Sequence, residues 1–432
     1  MDFLVSVFRG LLGITFLLAT AYLFSKNRSK VDWSLVLKAI AVQLILAVLL
    51  IYVPAAEWLL NKASQFFVKI ISFSESGSAF LFQSFSTGEI ESGMINFVTR
   101  VLPTIIFFSA LSGLMYYLGI LQKIVKALAW LLKKSLGISG AESLSVAGNV
   151  FLGQTEAPLL VRPFLGLMSR SELNTLMTGG MATIAGGVLA AYIGFLGGDN
   201  DAERAFFAKH LLTASFLSAP ASILFAKLLY PEQDKISNSD ESNIKLPYGN
   251  SLLESITVGT TDGLKLAVNV AAMLLVFISL IALGNYILTD VVGELLGVNF
   301  WISENTPYEA LSFQFILGYL MAPFAWLLGV PAEDIVLVGQ LIGEKTVLNE
   351  FVAYVTLGDF LNAKMLQNEK SVVMVTYMLC GFSNFSSIGI QLGGIGALAP
   401  ERRQDLAALA MRALLGASLA CLLTGTIVGI FF

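Results

Sequence analysis

Apolar stretches long enough to cross a lipid bilayer recur along the whole chain, residues 3–24 and 406–432 being two of them. A helix rises 1.5 Å per residue, so about 20 residues cross a hydrocarbon core, and in lipid the backbone must satisfy its own polar groups. Barrel strands are short and alternate in polarity, whereas these runs are continuous; the expectation is an all-α polytopic membrane protein. Charged residues are 13% of the chain, against about 25% in soluble domains. A net charge of −4 is too small to argue for nucleic acid or an anionic surface as partner. The two cysteines, Cys380 and Cys421, and the single histidine, His210, leave little material for a thiolate or imidazole metal site or for triad hydrolysis.

Eight full spans are expected, at 3–24, 34–53, 92–118, 172–196, 206–230, 258–289, 371–393 and 406–431. The first has no basic stretch before it and no small-residue cleavage site after it, so it reads as a span and not as a signal peptide. Lys26, Arg28, Lys30 and Lys38 follow or open onto the first two spans, and Lys123, Lys126, Lys133 and Lys134 follow the third; both groups belong inside the cell. The N-terminus is then outside, and an even number of crossings returns the C-terminus there. Asp199, Asp201 and Glu203 fall on the outer side and Arg402, Arg403 and Arg412 on the inner side. Residues 231–251 are polar and read as an inner linker between halves. Residues 306–328 are apolar but divided by Pro307 and Pro323, and are expected to form a helix along the interface or outside the core.

Two further apolar segments are interrupted. Residues 141–152 make about three helical turns, break at Gly153-Gln154-Thr155, and resume over 156–167; residues 334–342 break at Gly343-Glu344-Lys345-Thr346 and resume over 349–357. Each half is too short to cross, so both segments read as re-entrant helical hairpins whose tips lie inside the membrane, where protein or a wet cavity must satisfy the freed backbone. The spans that follow, at 177–187 and 378–389, are rich in small and polar residues and align at an offset of 201, pairing Thr183 with Asn384. The chain therefore repeats the order hairpin, broken span, full span over 138–230 and 331–431. Three crossings separate the hairpins and invert the second copy, as in inverted-repeat secondary transporters. The expected division is scaffold spans at 1–118, a first repeat with an interfacial helix at 119–230, linker and scaffold at 231–328, and a second repeat at 329–432.

Both hairpins carry a glutamate, Glu156 and Glu350, in apolar surroundings. A carboxylate at membrane depth costs about 2.5–3.5 kcal/mol on insertion scales and usually faces a substrate or ion path. At the first tip, carbonyls near Leu152 and the side-chain oxygens of Asn149, Thr155 and Thr183 are hard neutral ligands that suit Na⁺. Gln154, Thr155 and Glu156 offer amide, hydroxyl and carboxylate to a flat polar group, while Glu350, Asn384, Ser386 and Ser387 suit a vicinal diol. Structural readings stand beside these: Glu156 paired with Arg162, Glu350 paired with Lys345, Gly179, Gly180, Gly186 and Gly187 as close-packing residues, and Phe382 and Phe385 as core or lipid residues.

The chain resembles the concentrative nucleoside transporters in Gly153-Gln154-Thr155-Glu156-Ala157-Pro158-Leu159 with Val161-Arg162-Pro163, in Asn349-Glu350-Phe351-Val352-Ala353, and in the run from Cys380 to Gly389 containing Phe382, Asn384 and Ser387. The resemblance implies a multi-pass protein of the bacterial cytoplasmic membrane: a homotrimeric symporter importing nucleosides, its hairpins and broken spans moving against a scaffold. It implies a nucleobase site at Gly153, Gln154, Thr155, Glu156 and Val188. It implies ribose contacts from Glu350, Asn384 and Ser387, with Phe382 flanking the pocket. It implies a sodium site at Asn149, Leu152, Thr155, Thr183 and Ile184, with Leu152 and Ile184 giving carbonyls. Sodium is the expected coupling ion, and no organic cofactor or catalytic residue is expected. Proton coupling, a membrane-embedded nucleoside-processing enzyme and a channel are the alternatives.

Overall fold

A computed structural model describes residues 2–84, 88, 90, 94, 96–198, 200–234 and 251–432. The described residues form helices and connecting turns. In chain order the helices are α1 (Asp2–Leu23), α2 (Trp33–Tyr52), α3 (Pro54–Phe82), α4 (Phe97–Tyr117), α5 (Ile120–Leu136), α6 (Gly140–Asn149), α7 (Ala157–Leu160), α8 (Arg170–Ala182), α9 (Gly186–Gly197) and α10 (Asp201–Leu229). They continue as α11 (Leu252–Tyr286), α12 (Glu294–Leu296), α13 (Val298–Asn305), α14 (Phe313–Leu327), α15 (Ile335–Val347), α16 (Glu350–Asn362), α17 (Glu369–Leu379), α18 (Phe385–Leu398) and α19 (Arg403–Gly429). Asp199 and most of the expected inner linker, 235–250, lie outside the described residues.

Seven helical stretches among the described residues are long and apolar enough to cross a bilayer: Leu4–Leu23, Trp33–Tyr52, Phe97–Tyr117, Arg170–Gly197, Asp201–Leu229, Leu252–Leu296 and Pro400–Gly429. The stretch expected as a span at 371–393 is instead the two short helices α17 and α18, parted at 380–384. α10 and α19 are buried almost all round and form the centre, with α8, α9 and α17 packed on them. α11 behaves in the opposite way. It buries only a stripe of small and medium residues, Ser255, Gly259, Gly263, Ala267, Val270 and Leu274, against α4, and turns leucines and valines outward. An outward apolar face of that size suits lipid and not water. α5, where an interfacial helix is expected, is amphipathic: Leu121, Val125, Ala129, Leu132 and Leu136 face in, Lys123, Lys126, Lys133 and Lys134 face out, and left-handed glycines Gly119 and Gly137 close its two ends.

The two hairpin expectations need correction. The first hairpin's leading helix stops at Asn149 and not at Leu152, and its return arm is a single turn of α7 followed by a 3₁₀ turn at Arg162–Phe164. Pro163 removes the donor that a longer α7 would use, while Pro158 lies in the first turn, where its missing N–H costs nothing. In the second hairpin the residues Gly343 to Thr346 do not break the helix. They continue α15, and the reversal falls at Leu348 and Asn349. Gly343 serves close packing, since a Cβ there would lie 2.8 Å from Leu317 Cβ in α14, and the Thr346 hydroxyl bonds back to Ile342 O at 2.8 Å. Residues 54–82, assigned no element from the sequence, form the 29-residue α3, whose Glu57 and Glu75 pair with Lys209 and Arg204 of α10 at 2.8 and 2.9 Å. Within 306–328 only α14 is helical; its 15 residues reach about 22 Å, short of a core of about 30 Å, and it packs along α15 through the Gly318–Gly339 contact.

Candidate functional site

Capping side chains start the helices that aim at the site. Ser139 with Glu142 and Ser169 with Glu172 form reciprocal capping boxes at α6 and α8, while Asn349 and Asn384 cap α16 and α18 through Val352 N–H at 3.0 Å and Ser387 N–H at 2.9 Å. Each such cap contributes about 1 kcal/mol and fixes where a helix can begin inside apolar surroundings. The two interrupted spans then cross at their breaks. Thr183 (φ −123°, ψ 171°) and Asn384 (φ −137°, ψ 164°) are both extended, and Phe382 N–H meets Thr183 O at 3.4 Å. Gly381 sits there at φ +153°, and a Cβ on it would lie 2.9 Å from the Ala182 carbonyl and 2.6 Å from Cys421 Sγ. Both cysteines are buried thiols at this crossing, and His210 bonds Tyr377 in an aromatic cluster away from the tips.

Around this crossing the tips of the two hairpins come together. Gln154 of the first donates its Nε2 to Ser387 Oγ at 3.2 Å, bridging 233 positions of sequence, and its Oε1 is buried with no partner. Glu350 of the second is the first residue of α16, 2% exposed, where unpaired N–H groups favour an anion. Its carboxylate accepts from Tyr192 OH at 3.0 Å and from Asn384 Nδ2 at 2.6 Å, and Asn384 Oδ1 accepts in turn from Ser386 and Ser387. Glu156 turns back on its own tip and accepts from Gly153 N–H. Phe382 is buried beside the crossing and Val188 is fully buried in α9. Thr155 stands exposed at the tip with its methyl against Gly394; no hydrogen bond among the described residues joins its hydroxyl to Asn149 or Thr183. The suggested ion pairs do not form: Lys345 donates to Met378 O at 2.7 Å, and Arg162 is exposed, without an ion pair to Glu156 among the described residues.

A second cluster of oxygens lies behind the first tip. Asn149 is completely buried, yet neither its Oδ1 nor its Nδ2 has a partner. The carbonyls of Leu152 and Ile184, outside helices, accept no hydrogen bond among the described residues. Thr183 Oγ1 donates to Gly179 O at 2.9 Å, which leaves its lone pairs free. Orphan buried oxygens cost about 1–3 kcal/mol each unless something fills them. Neutral carbonyl, amide and hydroxyl oxygens at an unwound helix end fit an alkali cation, and no His, Cys, Asp or Glu cluster for another metal occurs among the described residues.

Two residues of this neighbourhood escaped the sequence reading. Tyr192, stacked on Tyr354 at 4.2 Å, sits one turn beyond Val188 on the same face of α9. Gln391 lies one turn beyond Ser387, fully buried, donating to Met177 O at 3.0 Å; a Cβ on Gly180 would lie 2.6 Å from it and 3.2 Å from Gln154 Cβ. Ser387, Gln391 and Gly394 thus form one face of α18 along the first tip, at spacings of four and three that a helical reading exposes. Lys345 was read only as a partner for Glu350.

Comparison with known proteins identifies the family. Residues 210–429 match the family described as "Na+ dependent nucleoside transporter C-terminus", residues 12–85 its N-terminal counterpart, and residues 98–199 the family described as "Nucleoside recognition". An "Uncharacterized transporter" of Haemophilus influenzae is 40% identical over 99% of this chain and 98% of its own. Sodium/nucleoside cotransporter 1 and solute carrier family 28 member 3 of Rattus norvegicus are each 37% identical; the chain spans 63% and 57% of their lengths. Among solved structures, CNTnw in an inward-facing substrate-bound state superposes with a TM-score of 0.86 at 37% identity, covering 98% of this chain and 99% of that one. A variant of CNTnw in an outward-facing state gives 0.87 at 36%, covering 99% and 98%. The chain belongs to the Na⁺-dependent, concentrative nucleoside transporter family.

Proposed function

We propose that this protein is a symporter that carries a nucleoside across the cytoplasmic membrane of a bacterium with sodium as the driving ion. The observation that carries the reading is the joined pair of tips: Gln154 on Ser387, and Glu350 held by Asn384 and Tyr192 with no cation bonded to it among the described residues. Gln154, Thr155 and Glu156, with Gly153 and Val188 as the wall, present donors and acceptors to the edge of a base. Glu350, Asn384 and Ser387 present a carboxylate, an amide and a hydroxyl to the ribose diol, with Phe382 flanking. Sodium, carried as a co-substrate, takes the orphan oxygens of Asn149, Leu152 and Ile184 together with Thr183, and Thr155 joins them if the tip closes.

Sodium bound behind the first tip orders the loop that carries Gln154, so the ion and the nucleoside each favour the same closed state, and each raises the other's affinity. The moving unit comprises 119–230 and 329–432, and the scaffold comprises 1–118 and 231–328. We place both termini on the outer face and assemble three subunits, each with its own pocket. Solved relatives in inward-facing and outward-facing states support alternating access of this kind. One charge moved down 100 mV supplies about 2.3 kcal/mol, enough for roughly 40- to 50-fold accumulation.

Purified protein in liposomes should concentrate labelled nucleoside above the external level under an inward sodium gradient, and a sodium ionophore should abolish the gain. Flux without accumulation would make it a channel, accumulation in choline under a proton gradient would make it proton-coupled, and recovery of altered nucleoside would make it an enzyme.

A further inference from the structure

One amide beside the first tip is bonded on one side only. Gln391, in the second turn of α18, is fully buried. Its Nε2 donates to the Met177 carbonyl of α8 at 3.0 Å, and its Oε1 has no partner among the described residues. That orientation is fixed, because reversing the amide would set its oxygen against the oxygen of Met177. The amide of Gln154 is not fixed in this way. Its Nε2 lies 3.2 Å from Ser387 Oγ, and a hydroxyl both donates and accepts, so either end of the Gln154 amide can face it. Its Oε1, too, is buried without a partner among the described residues.

The two amides border one gap. A Cβ on Gly180 of α8 would lie 2.6 Å from Gln391 Nε2 and 3.2 Å from Gln154 Cβ, so the glycine leaves the room in which the two side chains approach each other. Ser387 and Gln391 stand one turn apart on α18, and Gly394, further along the same face, lies against Thr155. A primary amide nitrogen carries two hydrogens, and Gln154 uses one of them on Ser387. The Oε1 of Gln391 is an acceptor for the second across that gap, and a buried acceptor left unpaired is costly.

We propose that Gln391 is a positioning residue for base recognition: its Oε1 takes the second N–H of Gln154 when the first tip closes on a nucleoside, so that Gln154 turns its own Oε1 toward the base. The proposal rests on the nucleoside-carrying reading above and names the class of base. An acceptor at that point favours a ring with an amino group on the part farthest from the sugar, as cytosine has at position 4, and opposes the oxo group that uracil has there. With Glu350, Asn384 and Ser387 holding the ribose, the depth of the ring is set, and uracil does not slide along the amide to offer its N3–H instead. Without Gln391 the Gln154 amide turns over and serves either base.

Equilibrium binding to the purified full-length protein in sodium tests this with three ribonucleosides: cytidine, uridine and the 2-pyrimidinone ribonucleoside, which has only hydrogen at position 4. The wild type should bind them in the order cytidine, 2-pyrimidinone, uridine, with about tenfold between first and last. Adenosine and inosine, which differ in the same way at position 6, are the corresponding pair if the wild type takes only purines. Gln391→Met, close in shape but unable to accept that bond, should bring the amino and oxo nucleosides to within about twofold while keeping the preference for ribonucleosides over 2′,3′-dideoxy analogues. Gln154→Leu should remove the base preference by itself, and adding Gln391→Met to it should change nothing further, because Gln391 acts through Gln154. Equal binding of the amino and oxo nucleosides by the wild type, a Gln391→Met protein that keeps the wild-type ratio, or a Gln391→Met effect that persists undiminished beside Gln154→Leu would each overturn the proposal. The second of these results would make Gln391 a structural residue whose Oε1 is met by buried water. If Gln391→Met does not fold, Gln391→Leu and the wild-type order decide. A wild type that binds none of the five nucleosides would instead remove the nucleoside reading on which the proposal stands.

Discussion

Asn149 and Glu350 are both buried polar groups in apolar surroundings, and their partners separate their roles. Asn149 has none, so something outside the protein must satisfy it; removing it should cost ion affinity without disturbing its neighbours. Asn149→Ala, or Thr183→Ala, should raise the sodium concentration for half-maximal uptake by about tenfold, a loss of about 1.4 kcal/mol. An unchanged sodium dependence would remove both as ligands. Glu350 has two side-chain donors and, among the described residues, no bonded cation, so its remaining accepting capacity points at substrate. Glu350→Gln should weaken ribonucleosides far more than their 2′,3′-dideoxy analogues. Tyr192→Phe should act in the same direction but by less, about tenfold, because it removes one charge-assisted bond of about 1.5–3 kcal/mol and leaves the carboxylate. Equal losses for the two ligand types would refute the diol assignment. Tyr192 and Gln391 were legible in principle, as polar groups one helical turn from Val188 and Ser387. The unmade bonds of Asn149 were not, because they depend on what packs around the residue.

At the scale of elements, the interrupted spans place the chemistry, and each break has a local cause. Small and polar residues at 179–187 and 380–389 cannot hold a helix against the alternatives that tertiary packing offers. Gly381 shows how narrow the allowance is: its backbone lies in a region that favours glycine, and Ala182 and Cys421 fill the space where a side chain would start. Gly381→Ala should lower thermal stability by several degrees or prevent folding, since strain of this kind costs about 1–3 kcal/mol before any clash. Gly389→Ala, eight residues on, has open space at its Cβ and should be neutral or slightly stabilising in α18. Similar melting temperatures for the two proteins would show that the crossing is looser than described. The hairpin breaks were less legible. Gly343 resembles a helix breaker in sequence but is a contact residue against Leu317, and the real reversal falls at Leu348 and Asn349, the latter capping the next helix.

Across the whole molecule, the seam between the proposed scaffold and the moving unit runs between α3 and α4 on one side and α9, α10 and α16 on the other. A cavity of about 280 Å³ lies in it, lined by Glu75, Phe97, Phe195, Arg204 and Val355 among others. Phe97 of α4 stacks on Phe195 of α9 at 5.4 Å, and the Glu57–Lys209 and Glu75–Arg204 pairs tie α3 to α10 nearby. If the two units slide past each other, these contacts must break. A Phe97→Cys, Phe195→Cys protein with Cys380 and Cys421 replaced should lose uptake when treated with a short bifunctional thiol reagent and recover it on reduction. Retained uptake after demonstrated cross-linking would mean that α4 and α9 move together and that the division is misplaced.

The sequence by itself determined the class of the protein and the identity of its polar residues. Runs of apolar residues leave a chain few ways to satisfy its backbone in lipid, and a carboxylate in such a run is too costly to be there without a use. The spans that become α10 and α19 and the repeat that aligns Thr183 with Asn384 follow from local pattern, whereas the central place of α10 and α19 does not. Tertiary structure alone decided which groups meet: Gln154 with Ser387, Glu350 with Tyr192, Lys345 with Met378 and not with Glu350. Those pairings join positions 33 to 233 residues apart, and whether a buried atom finds a partner depends on the full set of neighbours, which no pattern within one helix contains.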